Sequence, residues 1–395
     1  MSCRRYPAAE ASNLTKESLD MSDRIHVATR KGLFTIERGN GHWGISHTNF
    51  LADNCTLVMH DSRTDRPGLY CALDHGHFGA KLHRSFDEGN SWEECGVPTY
   101  PTRPEGVEPQ IDMMGRTIPD SLQLIWALTP GSVEQTGRLW CGTIPGGLFR
   151  SNDHGESWQL VESLWNHPDR KQWFGGGADW PGIHSICIDP RDAKRIIVGV
   201  SCGGVWISED DGASWVCRAQ GMRAEYMPPD RAYDPVIHDP HCVVQCPAQP
   251  EKFWAQHHNG MFRTTDDCAS WQEIMDVKPS TFGFPVAVHP EDGDTAWFVP
   301  ALNDEKRIPV DGKVVVNRTR DGGSTFETLS EGLPQDHAYD LVFRHALDID
   351  ESGDRLVFGS TTGSLFISEN QGDSWQSISR HLPPVYAVRF DKPSS

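Results

Sequence analysis

Three histidines in this chain occupy matching places in short apolar runs. His184 opens Ser-Ile-Cys-Ile-Asp-Pro190, His241 opens Cys-Val-Val-Gln-Cys-Pro247, and His345 opens Ala-Leu-Asp-Ile-Asp350. Neutral imidazole is the commonest protein metal ligand, and three of them with an open coordination position would suit a catalytic Zn²⁺ or Fe²⁺ ion. Such an ion would polarise a substrate or activate water. The competing reading is that the three rings only hydrogen-bond to water in a channel. Around them stand groups able to move protons, His258, Asp340 and Tyr386. Arg30, Lys31 and Arg344 could hold negative groups, and Trp180 and His257 could line a substrate. The expected ligand is a small, sugar-like or anionic molecule, and a protein partner is the expectation if the chain is a scaffold.

Histidines so far apart can meet only if repeated elements bring equivalent positions together. Six segments supply the repeat: Ser85 to Trp92, Ser151 to Trp158, Ser208 to Trp215, Thr264 to Trp271, Thr319 to Phe326 and Ser368 to Trp375. Their central Asp or Asn residues are 66, 57, 56, 55 and 49 positions apart. A period near 50 with several short strands per unit is the mark of a propeller. In each segment the Asp is placed to accept backbone N–H bonds across a tight turn, the Gly to supply positive φ, and the aromatic residue to pack beneath. Those duties are structural, so no chemistry is assigned to them.

The pattern S/T-x-D-x-G-x-S/T-W resembles the Asp-box (BNR) repeat of sialidase-like and photosystem-assembly-factor-like propellers, over residues 24–391. The resemblance implies an all-β, seven-bladed propeller. Ile25 to Thr29 and Gly32 to Ile36 read as the second and third strands of a first blade lacking its inner strand. Val385 to Phe390 is the orphan that completes it and closes the ring. A sialidase would also carry an arginine triad and a Phe/Tyr-Arg-Ile-Pro motif before the first box. Here the lone Arg307-Ile308-Pro309 falls late, between strands of blade six. A metal-free glycosidase using two loop carboxylates stays open, as does a non-catalytic assembly scaffold.

Aligning blades on His184 places His241, Phe284, His345 and Tyr386 in one inner ring, with Leu124 for blade three and Thr56 or Cys55 for blade two. The long connections 95–120, 162–182 and 218–240 bring carboxylates, Asp239 among them, to the same face.

The formal charge of −19 argues against nucleic-acid or anionic-membrane binding. No run approaches 18 apolar residues. The 11 cysteines form no CxxC pair and suit reduced thiols in the cytoplasm. Residues 1–23 read as a disordered polar extension without a signal-peptide core, and 392–395 as a tail.

Overall fold

A computed structural model describes residues 21–391; the expected extension and tail lie, for residues 1–20 and 392–395, outside the described residues. Seven antiparallel four-stranded sheets surround one axis. The strands of each blade are lettered a to d from the axis outwards. Blade four shows why the chain folds so: Gly182–Ile188 (a), Ile196–Ser201 (b), Gly204–Ser208 (c) and Val216–Cys217 (d). Strands b and c are buried on both faces between neighbouring blades, so β-branched and aromatic residues run nearly unbroken along them.

Blade one is completed as expected. Val385–Phe390 pairs antiparallel with Arg24–Thr29, from Ile25 opposite Phe390 to Thr29 opposite Val385. The closing strand buries Val385, Ala387 and Val388 completely. Beyond it, Asp391 accepts a 2.6 Å bond from His26 Nε2 and pairs with Arg24.

The box segments do the work their residue types suggest. Asp153 Oδ1 accepts the Ser157 amide at 3.0 Å and the Ser151 hydroxyl at 2.7 Å, while Oδ2 takes the Ser157 hydroxyl at 2.5 Å. The turn needs two successive left-handed residues, here His154 and Gly155 (φ 57° and 89°). In two boxes the tryptophan reaches the preceding blade: Trp158 Nε1 donates to Gly96 O at 2.9 Å and Trp271 Nε1 to Arg218 O at 2.8 Å. These two boxes thus clamp neighbouring blades together, whereas Trp92 Nε1 donates to Gly89 O of its own turn. Asp153→Ala is expected to lower stability by about 2 kcal/mol, because the turn's donors lose their acceptor. Denaturant unfolding beside a ligand-binding assay checks it; lost binding at unchanged stability would contradict the structural role.

The inner strands share a further feature. In blades two to five, strand a carries one unpaired residue: Thr56, Trp126, His184 and His241. Tyr386 is skipped in the same way in blade one, and the register also shifts across Phe284 in blade six. A bulge re-aims its side chain, and here it does so on the inner strand of each blade. Blade three therefore seats Trp126, and the expected Leu124 is corrected by two residues. Leu124 sits opposite Ile144 as an ordinary ladder residue. Blade two seats Thr56.

Blade seven enlarges the bulge into an excursion. Its inner strand is only Leu347–Ile349, and the preceding residues leave the ladder. Arg344 Cζ lies 4.1 Å over the Trp126 ring of blade three. His345 Nε2 donates to His184 O of blade four at 2.8 Å. Those partners lie across the ring, so the excursion bars the central channel.

Candidate functional site

Asp239, just before the inner strand of blade five, is the hub of the funnel. It is 2% exposed. Its Oδ1 accepts the Ser201 hydroxyl and the Cys202 amide, both at 3.1 Å. Cys202 takes a left-handed conformation (φ 48°) in the b–c turn of blade four, a strained state held where its amide meets the carboxylate. With Oδ1 occupied, Oδ2 faces two imidazoles: His241 Nε2 at 3.5 Å and His258 Nδ1 at 3.5 Å.

The outer nitrogens show how these rings are prepared. His241 Nδ1 lies 2.7 Å from Gly283 O. A carbonyl only accepts, so Nδ1 carries the proton, and neutral His241 presents a bare Nε2 lone pair to a carboxylate oxygen. A proton or a cation between them removes the repulsion. His258 Nε2 faces Asp304 Oδ2 at 3.4 Å, and the His258 amide donates to Asp239 O at 2.9 Å. Burial pushes the Asp239 carboxyl up, but His241 and His258 more than offset it and hold it well below the carboxylate range. Burial pulls His258 down, and Asp239 and Asp304 reverse this to a raised pKa.

Asp239, His241 and His258 form the one group of three or more such side chains, among the described residues, whose ligand atoms all lie within 4.8 Å of one another. Ligands about 2.0–2.1 Å from a tetrahedral ion stand about 3.4 Å apart, close to the two 3.5 Å separations. Orientation of a ligating imidazole through its other nitrogen is the usual support of a metal site. The glycine loop 175–177 lies against this group. A Cβ on Gly176 would stand 2.5 Å from Cys202 Sγ and 3.0 Å from Asp239 Oδ2, so only glycine fits there.

The expected set His184, His241 and His345 is corrected in two of its members. His345 spends Nε2 on His184 O, and burial, then Arg389, lower its pKa to about 3. His184 Nδ1 bonds Ser185 Oγ at 2.9 Å, and neither ring belongs to the group above. His258, expected as an acid or base, joins His241 there instead.

His257 is fully buried; its Nε2 faces the Asp239 amide at 3.2 Å, so it positions Asp239 and does not line a substrate. Asp340 accepts the Ser360 hydroxyl at 2.6 Å and the Thr362 hydroxyl, fixing the b–c turn of blade seven. Tyr386 stacks on Phe343 at 5.8 Å. Burial, with the charges of Arg30 and Asp74 acting on it, leaves its pKa raised. Arg30 and Lys31 are exposed, and Trp180 Nε1 donates to Thr117 O at 2.8 Å, joining two loops. Arg344, the third candidate anion binder, lies over the Trp126 ring.

Sequence reading missed Asp304, Arg307 and Trp126 as funnel residues. Asp304 and Arg307 come from the long b–c connection of blade six, and Arg307 Cζ lies 5.3 Å over the Phe284 ring.

No protein-family model matches the chain. A segment of 82 residues, 20% of the chain, is 33% identical to an oligoxyloglucan-reducing end-specific xyloglucanase of Emericella nidulans, covering 9% of that enzyme. Among solved structures, the GH74 xyloglucanase from Xanthomonas campestris superposes with a TM-score of 0.60 at 18% identity, over 91% of this chain and 53% of that one. YCF48 bound to a D1 peptide gives 0.51 at 13%, over 82% and 81%. The chain thus spans about half of the xyloglucanase structure. What it shares with both structures is the propeller fold, and the class is a seven-bladed β-propeller. No helix among the described residues is long and apolar enough to cross a membrane.

Proposed function

We propose that this propeller is a metal-dependent enzyme of hydrolase or lyase type, with a divalent cation, Zn²⁺ or Fe²⁺, held by Asp239 Oδ2, His241 Nε2 and His258 Nδ1. The observation that carries this reading is the convergence of these three atoms, with both imidazole nitrogens 3.5 Å from Asp239 Oδ2 and His241 Nδ1 held by Gly283 O. Bound there, the cation would polarise a substrate oxygen or lower the pKa of a coordinated water. The chain's own residues perform the rest. Ser201 and Cys202 lock Asp239 as a one-oxygen ligand, Asp304 orients His258, and the barred channel holds a small substrate against the centre. The likeness to glycoside hydrolases supports a sugar-like substrate at the level of fold alone.

Metal analysis of protein purified without chelator tests this reading. One equivalent per chain is expected, removed by chelation and restored by added Zn²⁺ or Fe²⁺. A chain that takes up neither ion, with its fold intact, would defeat the proposal.

One observation favours a second reading. The funnel-side loops expose Phe78, Met114 and Tyr339, at 80%, 63% and 59%. Such apolar side chains suit a peptide, and the likeness to YCF48, solved with a D1 peptide, supports that scaffold alternative.

A further inference from the structure

Near the Asp239 group, two buried polar side chains each have a nitrogen without a hydrogen-bond partner. Arg344 is 9% exposed and its Nη1 has no acceptor; His184 is 1% exposed and its Nε2 has none. Both rest on Trp126. The Arg344 guanidinium lies 4.1 Å over its face, and the His184 ring meets it edge-on at 5.5 Å. Burying an uncompensated cation is unfavourable, and so is leaving a buried donor without an acceptor. Two such groups on one aromatic floor therefore point to something they receive.

The bonding around His184 shows what it offers. Ser185 Oγ accepts the Val243 amide at 3.0 Å. Its own hydroxyl hydrogen can then go to His184 Nδ1, 2.9 Å away. In that tautomer Nε2 carries the hydrogen and is an unspent donor. Arg344 supplies a second donor with a full positive charge. Among the described residues it has no carboxylate in ion-pair contact, and Asp239 acts on it only from beyond that range. Burial lowers its pKa, but only to about 10, so the charge persists at neutral pH.

We infer that Trp126, His184 and Arg344 form a subsite for a singly charged oxyanion, most simply a substrate carboxylate bridging Arg344 Nη1 and His184 Nε2. One buried positive charge balances one negative charge, and two donors match two oxygens. Phosphate, largely dianionic at pH 8, would leave a charge uncompensated in a buried place. The inference deepens the proposed function by naming the substrate class, a carboxylate-bearing molecule held beside the metal centre. It stands on different residues from the metal ligands.

The test uses the full chain stripped of metal with chelator, so that anion binding is read independently of the centre. Calorimetric titration with glucuronate, glucose and inorganic phosphate at pH 8 compares a carboxylate, its neutral analogue and a dianion. Glucuronate is expected to bind roughly tenfold tighter than glucose, as a charge-assisted bond provides, and tighter than phosphate. Arg344→Gln should erase the preference and Arg344→Lys should keep part of it, each with melting temperature measured to confirm the fold. His184→Gln should weaken glucuronate several-fold. Equal binding of glucuronate and glucose would overturn the subsite, as would a preference for phosphate or a glucuronate affinity indifferent to Arg344→Gln. Should the stripped chain bind glucuronate but never take up metal, the centre fails and the subsite stands.

Discussion

His241→Ala protein is expected to leave purification without its metal, whereas His345→Ala protein should retain it. His241 offers a lone pair that its neighbours hold in place, while His345 has already donated its Nε2 hydrogen to His184 O. Loss of one of three protein ligands should weaken the ion by at least about 100-fold, more than loss of an outer partner does. Asp239→Asn should act in the same direction, since it removes the only carboxylate among the three. Gly176→Ala provides an independent check, because its Cβ would press on Asp239 Oδ2 and Cys202 Sγ without deleting any ligand. Metal content and melting temperature, read together, decide the matter. Retention of metal by His241→Ala, or its loss from His345→Ala with the fold intact, would move the centre elsewhere.

Truncation before Val385 is expected to have the largest effect on the fold itself. The lost strand buries Val385, Ala387, Val388 and Phe390 almost completely. At about 1.5–3 kcal/mol for each large apolar side chain, its removal approaches the whole stability of an ordinary domain. It also uncovers the ladder edge of Arg24–Thr29, which invites association between chains. The shortened protein should be insoluble or lack a cooperative melting transition. A soluble monomer melting within a few degrees of the full chain would show that the ring does not depend on its closing strand.

The architecture was legible because each box states its own turn. An Asp or Asn two residues before a glycine or cysteine, with a hydroxyl and an aromatic side chain at the fourth and fifth places after it, can be recognised without any neighbour. The partial first repeat and the orphan Val385–Phe390 then had one complementary solution. The inner ring was legible where strands kept the common pattern, as at His184 and His241. In blade three that pattern lapses, and the seat fell on Leu124 in place of Trp126.

The metal group was only half legible. His241 could be aligned, but Asp239 read as one loop carboxylate among many. Its importance comes from Cys202, a turn residue of another blade, which no spacing along the chain announces. Asp304 and Arg307 lie in a blade-six connection that breaks the period. Equal spacing aligned His345 with His184 and His241, yet it could not say that the blade-seven excursion carries the ring across the axis to His184.

The bulges separate what the scaffold requires from what the funnel contains. Thr56, Trp126, His184 and His241 each stand outside the pairing that joins strand a to strand b. The ladder on either side closes whichever side chain occupies that place, as the variety among these four residues demonstrates. Such a ring works like a row of interchangeable sockets, in which a substitution alters the lining while the frame stays fixed. New specificities on this barrel of blades could then arise one residue at a time, without a new fold and with little sacrifice of stability.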